Sequence, residues 1–246
     1  MFIAGLTTPV ALIWQSGVEY AVHLAMGLIA IVGAILIFLG WRSRHTVSYS
    51  GIVHYHESFE AIASREVFRE AKRQYSYLGI SFSSIKQPFL SWYEEDRKPG
   101  CKIRLLLTDP SSKSVETLRF QARHRLGLFD PTLTAEQSKS VEAAAEEDRI
   151  NTLATLQTLS GLKGAADNIE VRLQSDKLRM WMHLLDEGTI YLGVMRPSER
   201  GLQGPVLLLQ RRKNWSLFDY YEQMYESMWA MATPYPLNKP PQGKSK

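Results

Sequence analysis

Residues 21–41, AVHLAMGLIAIVGAILIFLGW, hold no charged side chain, and Arg42 and Arg44 follow at once. An apolar run of about 20 residues matches the roughly 30 Å hydrocarbon core of a bilayer, and a helix is the only single segment that satisfies its own backbone in lipid. We therefore expect an uncleaved transmembrane helix over residues 18–41, with His23 as the run's only titratable group. No Lys or Arg precedes Arg42, whereas Arg42, Arg44 and His45 sit just after the run. The positive-inside bias then makes 1–17 an extracytoplasmic N-terminal segment and puts the C-terminal domain in the cytoplasm of a single-pass cell-membrane protein. Residues 2–14 are apolar but short and contain Pro9. They read either as an interfacial or re-entrant segment or as the first arm of a membrane hairpin.

All 29 Lys and Arg follow the span, against 24 of the 25 acidic residues, so the remainder carries a net +5. That excess is mild and points to no nucleic-acid partner. Two hundred residues of ordinary globular composition suffice for one hydrophobic core. The single cysteine, Cys101, excludes an intrachain disulfide and a cysteine-cluster zinc site. No cofactor is expected. His54 and His56, two apart beside Glu57, lack a third ligand at a recognisable spacing and read as loop residues.

After a linker at 42–54, Phe59, Ile62, Ala63, Val67 and Ala71 recur at helical spacing over 57–73. YSYLGISF (75–82) reads as a strand feeding a helix near 85–97, and KIRLLLT (102–108), ended by Asp109-Pro110-Ser111, repeats the pattern. Strand, helix, strand, helix implies a parallel sheet with crossovers. A long helix over 134–160 opens on a Thr134/Gln137 capping box and carries Val141, Ala145, Ile150, Leu153, Leu156 and Leu159. Strands follow at 169–174, 178–185, 189–195 and 205–210, the middle two joined by Asp186-Glu187-Gly188 as a hairpin. A helix over 216–232 is rich in aromatic residues. The Pro-rich, basic tail over 234–246 reads as disordered.

AKRQYSYLGISFSS (71–84), KIRLLLTDPSS (102–112) and LRMWMHLLDEGTIYLG (178–193) together resemble one half of a phospholipase D-like fold, of the small single-copy, membrane-anchored kind. The resemblance covers roughly 55–233 and implies an α/β architecture: a single mixed β-sheet domain flanked by helices, behind one N-terminal transmembrane helix. The family's catalytic signature is His, one residue, Lys, four residues, Asp, then a strand ending in Gly. Matching Asp186 and Gly193 to it puts Arg179 at the His position and Trp181 at the Lys position. Arginine stays protonated and cannot attack phosphorus, and tryptophan brings no positive charge. The resemblance therefore implies a catalytically inactive member. The alternative is an active membrane-bound phosphodiesterase, a nuclease or lipid hydrolase, using His183 and Asp186.

Parallel strands place ligands beyond their carboxyl ends. Those ends supply Ser81, Ser83 and Ser84, then Thr108, Asp109, Ser111 and Ser112. Arg119 and Arg123, four apart on the next helix, and Arg179 bring positive charge. These residues are expected to form one anion pocket for a phosphate-bearing ligand, giving a sensor or scaffold for that ligand or for a protein partner. Arg211, Arg212 and Lys213 could instead meet lipid head groups or remain in solvent. A homodimer with facing 178–193 hairpins follows from the two-half design that the resemblance implies.

Overall fold

The computed structural model describes residues 50–237 apart from 61, 63, 131, 187 and 196–202, together with Val32, Ile35 and Leu36. The chain divides into two compact units, Met1–Ser48 and Tyr49–Lys246. In the first, Val32, Ile35 and Leu36 are helical and exposed; the rest of the expected transmembrane helix and the 1–17 segment lie outside the described residues. Among the described residues no helix is long and apolar enough to cross a membrane.

The second unit opens with β1 (Ile52–His56), α1 (Ser64–Glu70), β2 (Gln74–Gly79) and α2 (Lys86–Ser91), the last continued by a π turn at Trp92–Asp96. There follow β3 (Lys102–Thr108), α3 (Val115–Arg125), the long α4 (Ala135–Ser160) and the single turn α5 (Ala165–Asn168). The unit then runs through β4 (Ile169–Gln174), β5 (Met180–Leu185), β6 (Thr189–Val194), β7 (Val206–Gln210), α6 (Leu217–Met231) and β8 (Thr233–Tyr235).

The eight described strands make one sheet in the order β1-β7-β6-β5-β2-β3-β4-β8. The β2–β3 and β3–β4 pairs are parallel, as the strand–helix repeat requires, and β5, β6 and β7 add antiparallel to β2. Helices cover both faces, which is why β2 and β3 are nearly continuous buried runs instead of alternating ones. Tyr75 and Tyr77 point into a core with Phe59, Phe68, Phe89, Trp92, Leu156 and Leu159, whereas Leu78 and Leu106 meet Phe218, Tyr225 and Trp229 of α6 on the other side. The Arg104 guanidinium on β3 makes two bonds to Glu226, 2.6 and 2.8 Å, and lies 4.3 Å from the Trp229 ring centre, fastening α6 to the sheet.

The capping box forms as expected: Gln137 N–H donates to Thr134 Oγ1 (3.2 Å) while Gln137 Oε1 accepts from Thr134 N–H (2.9 Å). Elsewhere the structure corrects the sequence. The helix expected over 57–73 contracts to Ser64–Glu70, because Phe59 is fully buried against the sheet in a non-helical segment. His54 and His56 belong to an edge strand, not a loop, with ring centres 4.3 Å apart. The expected disordered tail begins as a strand: Pro234 and Tyr235 pair with Arg172 and Val171, and Leu237 is buried. Finally, α4 turns Asp148, Thr152 and Thr155 inward while Ile150 and Leu153 stay exposed. Its apolar spacing marks the buried face at both ends, where Val141, Ala145, Leu156 and Leu159 are buried, and fails in the middle, at Ile150 and Leu153.

Candidate functional site

Arg179 just before β5, β5 itself and the turn that follows it carry the positions at which the resemblance requires catalytic groups. Trp181 is buried, and opposite it on β6 stands Gly193, where a Cβ would lie 2.0 Å from the indole. The glycine thus makes room for a ring where the signature has a lysine. Gly79 does the same at the end of β2, where a Cβ would lie 2.1 Å from the Tyr77 hydroxyl. His183 is fully buried, its ring stacked 4.9 Å from Phe59 and its Nδ1 2.8 Å from the Tyr75 hydroxyl. Burial pushes its pKa down to about 3, so the imidazole is neutral and a poor base at ordinary pH.

Asp186 ends β5 with φ 45 and faces the start of β2. Its Oδ1 accepts from the N–H groups of Lys72 (3.1 Å), Arg73 (2.7 Å) and Gln74 (2.9 Å), and its Oδ2 from Lys72 N–H (3.1 Å). Burial alone would raise this carboxyl, but the backbone donors outweigh it and hold the pKa below the usual carboxylate value. β5 runs antiparallel to β2, with His183 opposite Tyr77 and Leu185 opposite Tyr75, so Asp186 lies at the far end of β2 from its ligand-facing carboxyl end. His183 and Asp186 thus have separate partners, Tyr75 and Phe59 for the imidazole and the backbone of 72–74 for the carboxylate. One is a core ring and the other a backbone clasp.

Beyond the carboxyl end of β2 is a cavity of about 300 Å³ lined by Ser81, Phe82, Ser83 and Ser84, by Tyr77, Trp181 and His183, and by Arg125, Glu147, Asp148 and Asn151 of α3 and α4. Ser81 Oγ and Ser83 Oγ share a 2.9 Å hydrogen bond. Between them Phe82 adopts φ 63, a left-handed conformation that costs a bulky residue on the order of 1 kcal/mol or more and is concentrated at functional sites. The Arg125 guanidinium lies 3.3 Å from Asp148 Oδ1 and 3.2 Å from Glu147 Oε2, and donates to the Ala144 carbonyl at 2.9 Å. Burial pushes the Asp148 carboxyl up to about 6 despite Arg125, with Glu147 adding to the rise.

The other expected site residues lie elsewhere. Asp109 is occupied locally, accepting from Ser111 N–H (2.8 Å), Ser111 Oγ (2.7 Å) and Ser114 Oγ (3.2 Å), an Asx turn leading into α3. Arg119 is paired with Glu116 (2.6 Å) and Glu142 (2.7 Å). Arg123 donates to the Leu128 and Asp130 carbonyls, and its charge is felt by the Asp130 carboxylate. Arg119, Arg123, Phe120 and Lys177 line a second cavity of about 420 Å³. The Arg179 guanidinium lies 5.3 Å from the centre of the Phe120 ring and the Lys177 ammonium 5.2 Å. Burial, and after it the positive charge of Arg179, lowers the His124 pKa.

The one expected pocket is thus two. Ser81, Ser83 and Ser84 gather with His183 at the β2 end, whereas Arg119, Arg123 and Arg179 gather around Phe120. Sequence reasoning missed Lys177, whose signal was its place two residues before Arg179 on the approach to β5. It also missed Asp148, hidden in the acidic run Glu146-Glu147-Asp148, which reads as a solvated face.

No protein-family model matches the chain, and no curated protein matches it. Among solved structures, TrmBL2, an archaeal chromatin protein, is similar at TM-score 0.39 and 12% identity over 96% of this chain and 72% of that one. Nuc from Salmonella typhimurium, a phospholipase D family member, is similar at TM-score 0.40 and 10% identity over 71% of this chain and 90% of that one. At such scores neither likeness bears on what this chain binds. The architecture established by its own strands is a mixed α/β domain with one large sheet and helices on both faces.

Proposed function

We propose that this chain is a membrane-anchored, catalytically inactive domain of phospholipase D-like build, a sensor or scaffold that docks a phosphate-bearing ligand or protein partner on the basic groove around Phe120. One observation carries the reading: among the described residues no carboxylate pairs with Lys177 or Arg179, although both converge on a single ring. Like charges held this close repel, and an exposed cation–π contact returns only about 0.5–1 kcal/mol. A phosphate accepting from arginine relieves that repulsion with charge-assisted hydrogen bonds. Arg119 with Glu116 and Glu142 is net −1, so the positive excess of the groove comes from Arg123, Lys177 and Arg179.

The inactive assignment is supported by Arg179 and Trp181 at the signature positions and by the burial of His183. A phosphodiesterase acting through His183 and Asp186 would need an accessible imidazole and a carboxylate beside it, and this arrangement offers neither. The anchor is supported by the uncharged run 21–41 and the arginines after it. A homodimer with facing 178–193 hairpins remains part of the reading as its route to a two-half site.

The test is thermal unfolding of the full chain in detergent micelles against inorganic phosphate, glycerol phosphate and nucleotides, with Lys177→Ala and Arg179→Ala alongside. A ligand at 100 times its Kd raises stability by about 2.7 kcal/mol. A shift in the wild type that both variants lose is the expected result. No shift with any phosphate would overturn ligand docking and leave a protein-scaffold role.

A further inference from the structure

Two residues that line the β2-end cavity each carry a buried polar atom with no hydrogen-bond partner among the described residues: Asp148 Oδ2 and His183 Nε2. Asp148 is 5% exposed and His183 0%, so solvent does not serve either atom from outside. Folded proteins leave few such groups, since an unpaired buried donor or acceptor costs about 1–3 kcal/mol. Arg125 cannot supply the missing bond, because its described contacts go to Asp148 Oδ1, Glu147 and the Ala144 carbonyl.

The same wall dictates what would fit. Two carboxylates, Glu147 and Asp148, face one guanidinium, so the lining is net negative and repels a phosphate. Tyr77, Phe82 and Trp181 offer flat apolar flanks, and Ser81, Ser83, Ser84 and Asn151 supply short polar groups. A cavity of about 300 Å³ lies at the lower end of small-molecule sites and holds one ring or a fused pair.

We propose that this cavity binds a small planar nitrogen base, neutral or cationic, which donates an N–H edge to Asp148 Oδ2, makes its second polar contact with His183 Nε2 and packs against Trp181 and Phe82. His183 serves in either neutral tautomer, since the Tyr75 hydroxyl can donate to or accept from Nδ1. The left-handed backbone of Phe82 holds that ring in the wall between the two hydrogen-bonded serines. This site is separate from the Phe120 groove in residues, in charge and in ligand.

The experiment is calorimetric titration of the full chain in micelles with benzamidine, 2-aminopyridine and adenine, with benzoate and inorganic phosphate as controls. Wild type is expected to bind at least one nitrogen base and not benzoate. Asp148→Asn should weaken that binding by about tenfold or more, and Arg179→Ala should leave it unchanged. Should Asp148→Asn fail to fold, Ser83→Leu plugs the cavity without touching the carboxylate and decides by the same criterion. Absence of binding by all three bases, or equal binding in the variant, overturns the proposal and makes this a hydrated cavity whose orphan atoms bond to water. Phosphate binding lost in Arg179→Ala bears only on the Phe120 groove.

Discussion

Asp186 and Asp148 stand at opposite ends of the β2–β5 strand pair, and the fold treats them in opposite ways. Asp186 has both oxygens capped by the N–H groups of Lys72, Arg73 and Gln74, and its pKa falls. Asp148 has one oxygen beside Arg125 and the other bare, and its pKa rises to about 6. The first arrangement is closed: every lone pair that matters is spent on joining a hairpin to the start of a strand. The second is open, a charge taken out of water with half its partners missing. The carboxylate at the signature position is thus saturated with backbone donors, and the one that no motif marks keeps an acceptor oxygen without a hydrogen bond among the described residues.

The comparison can be pressed first through His183, which shares the open end. Its folded pKa of about 3 lies below the ordinary 6.5, so its contribution to stability is present above pH 6.5 and lost as pH falls through 3. At about 1.4 kcal/mol per pH unit, that contribution reaches about 5 kcal/mol. His183→Phe, which keeps the stack on Phe59, should flatten the acid limb of a urea-midpoint profile; an unchanged limb would show that the imidazole is not buried neutral. Asp186→Ala should cost about 3 kcal/mol in urea unfolding, since three backbone donors lose a charged acceptor. A loss under about 1 kcal/mol would mean the clasp is not closed.

Asp148→Asn should behave with the opposite sign. The folded pKa is raised from 3.8 to about 6, so the wild-type carboxyl contributes stability below pH 3.8 that disappears as pH rises through 6. The variant should therefore gain on wild type with rising pH, by up to about 3 kcal/mol above pH 6, and match it in acid. A variant less stable at every pH would show that the Arg125 pair outweighs burial. The smallest effect expected is from Gly193→Ala, whose methyl must displace the Trp181 indole into the open cavity; overpacking of this kind costs about 1–3 kcal/mol. Tm and probe binding should fall together.

Local chemistry made much of the fold readable in advance. The Thr134/Gln137 box, the buried strands KIRLLLT and IEVRLQ and the hairpin around Asp186 depend on neighbours within a few residues. What escaped depends on distant partners. β1 and β8 have no hydrophobic run of their own and exist because β7 and β4 offer edges. The middle of α4 departs from its apolar spacing for a related reason: Val141, Ala145, Leu156 and Leu159 are buried as that spacing requires, but between them the helix borders a polar cavity, so Asp148 and Thr152 turn inward while Ile150 points out. Of the site, Arg179, Arg119 and Arg123 were recoverable as a cluster from spacing and resemblance. Their separation from the serines was not, because only the packing of α3 and α4 decides which strand end each helix serves.

The two outermost strands of the sheet come from the two ends of the domain. Ile52 pairs with Leu209 and Val171 with Tyr235, so β1 finds its partner only after some 150 residues have been made, and β4 keeps a bare edge until the chain reaches 233–235. Contacts so distant along the chain close slowly, because loop entropy is spent before they form. Until they do, β4 presents a row of unpaired N–H and C=O groups, the template on which strands of other chains add. The three residues of β8 therefore act as a seal against self-association during synthesis, and a chain stopped after Met231 would leave that edge open for its lifetime.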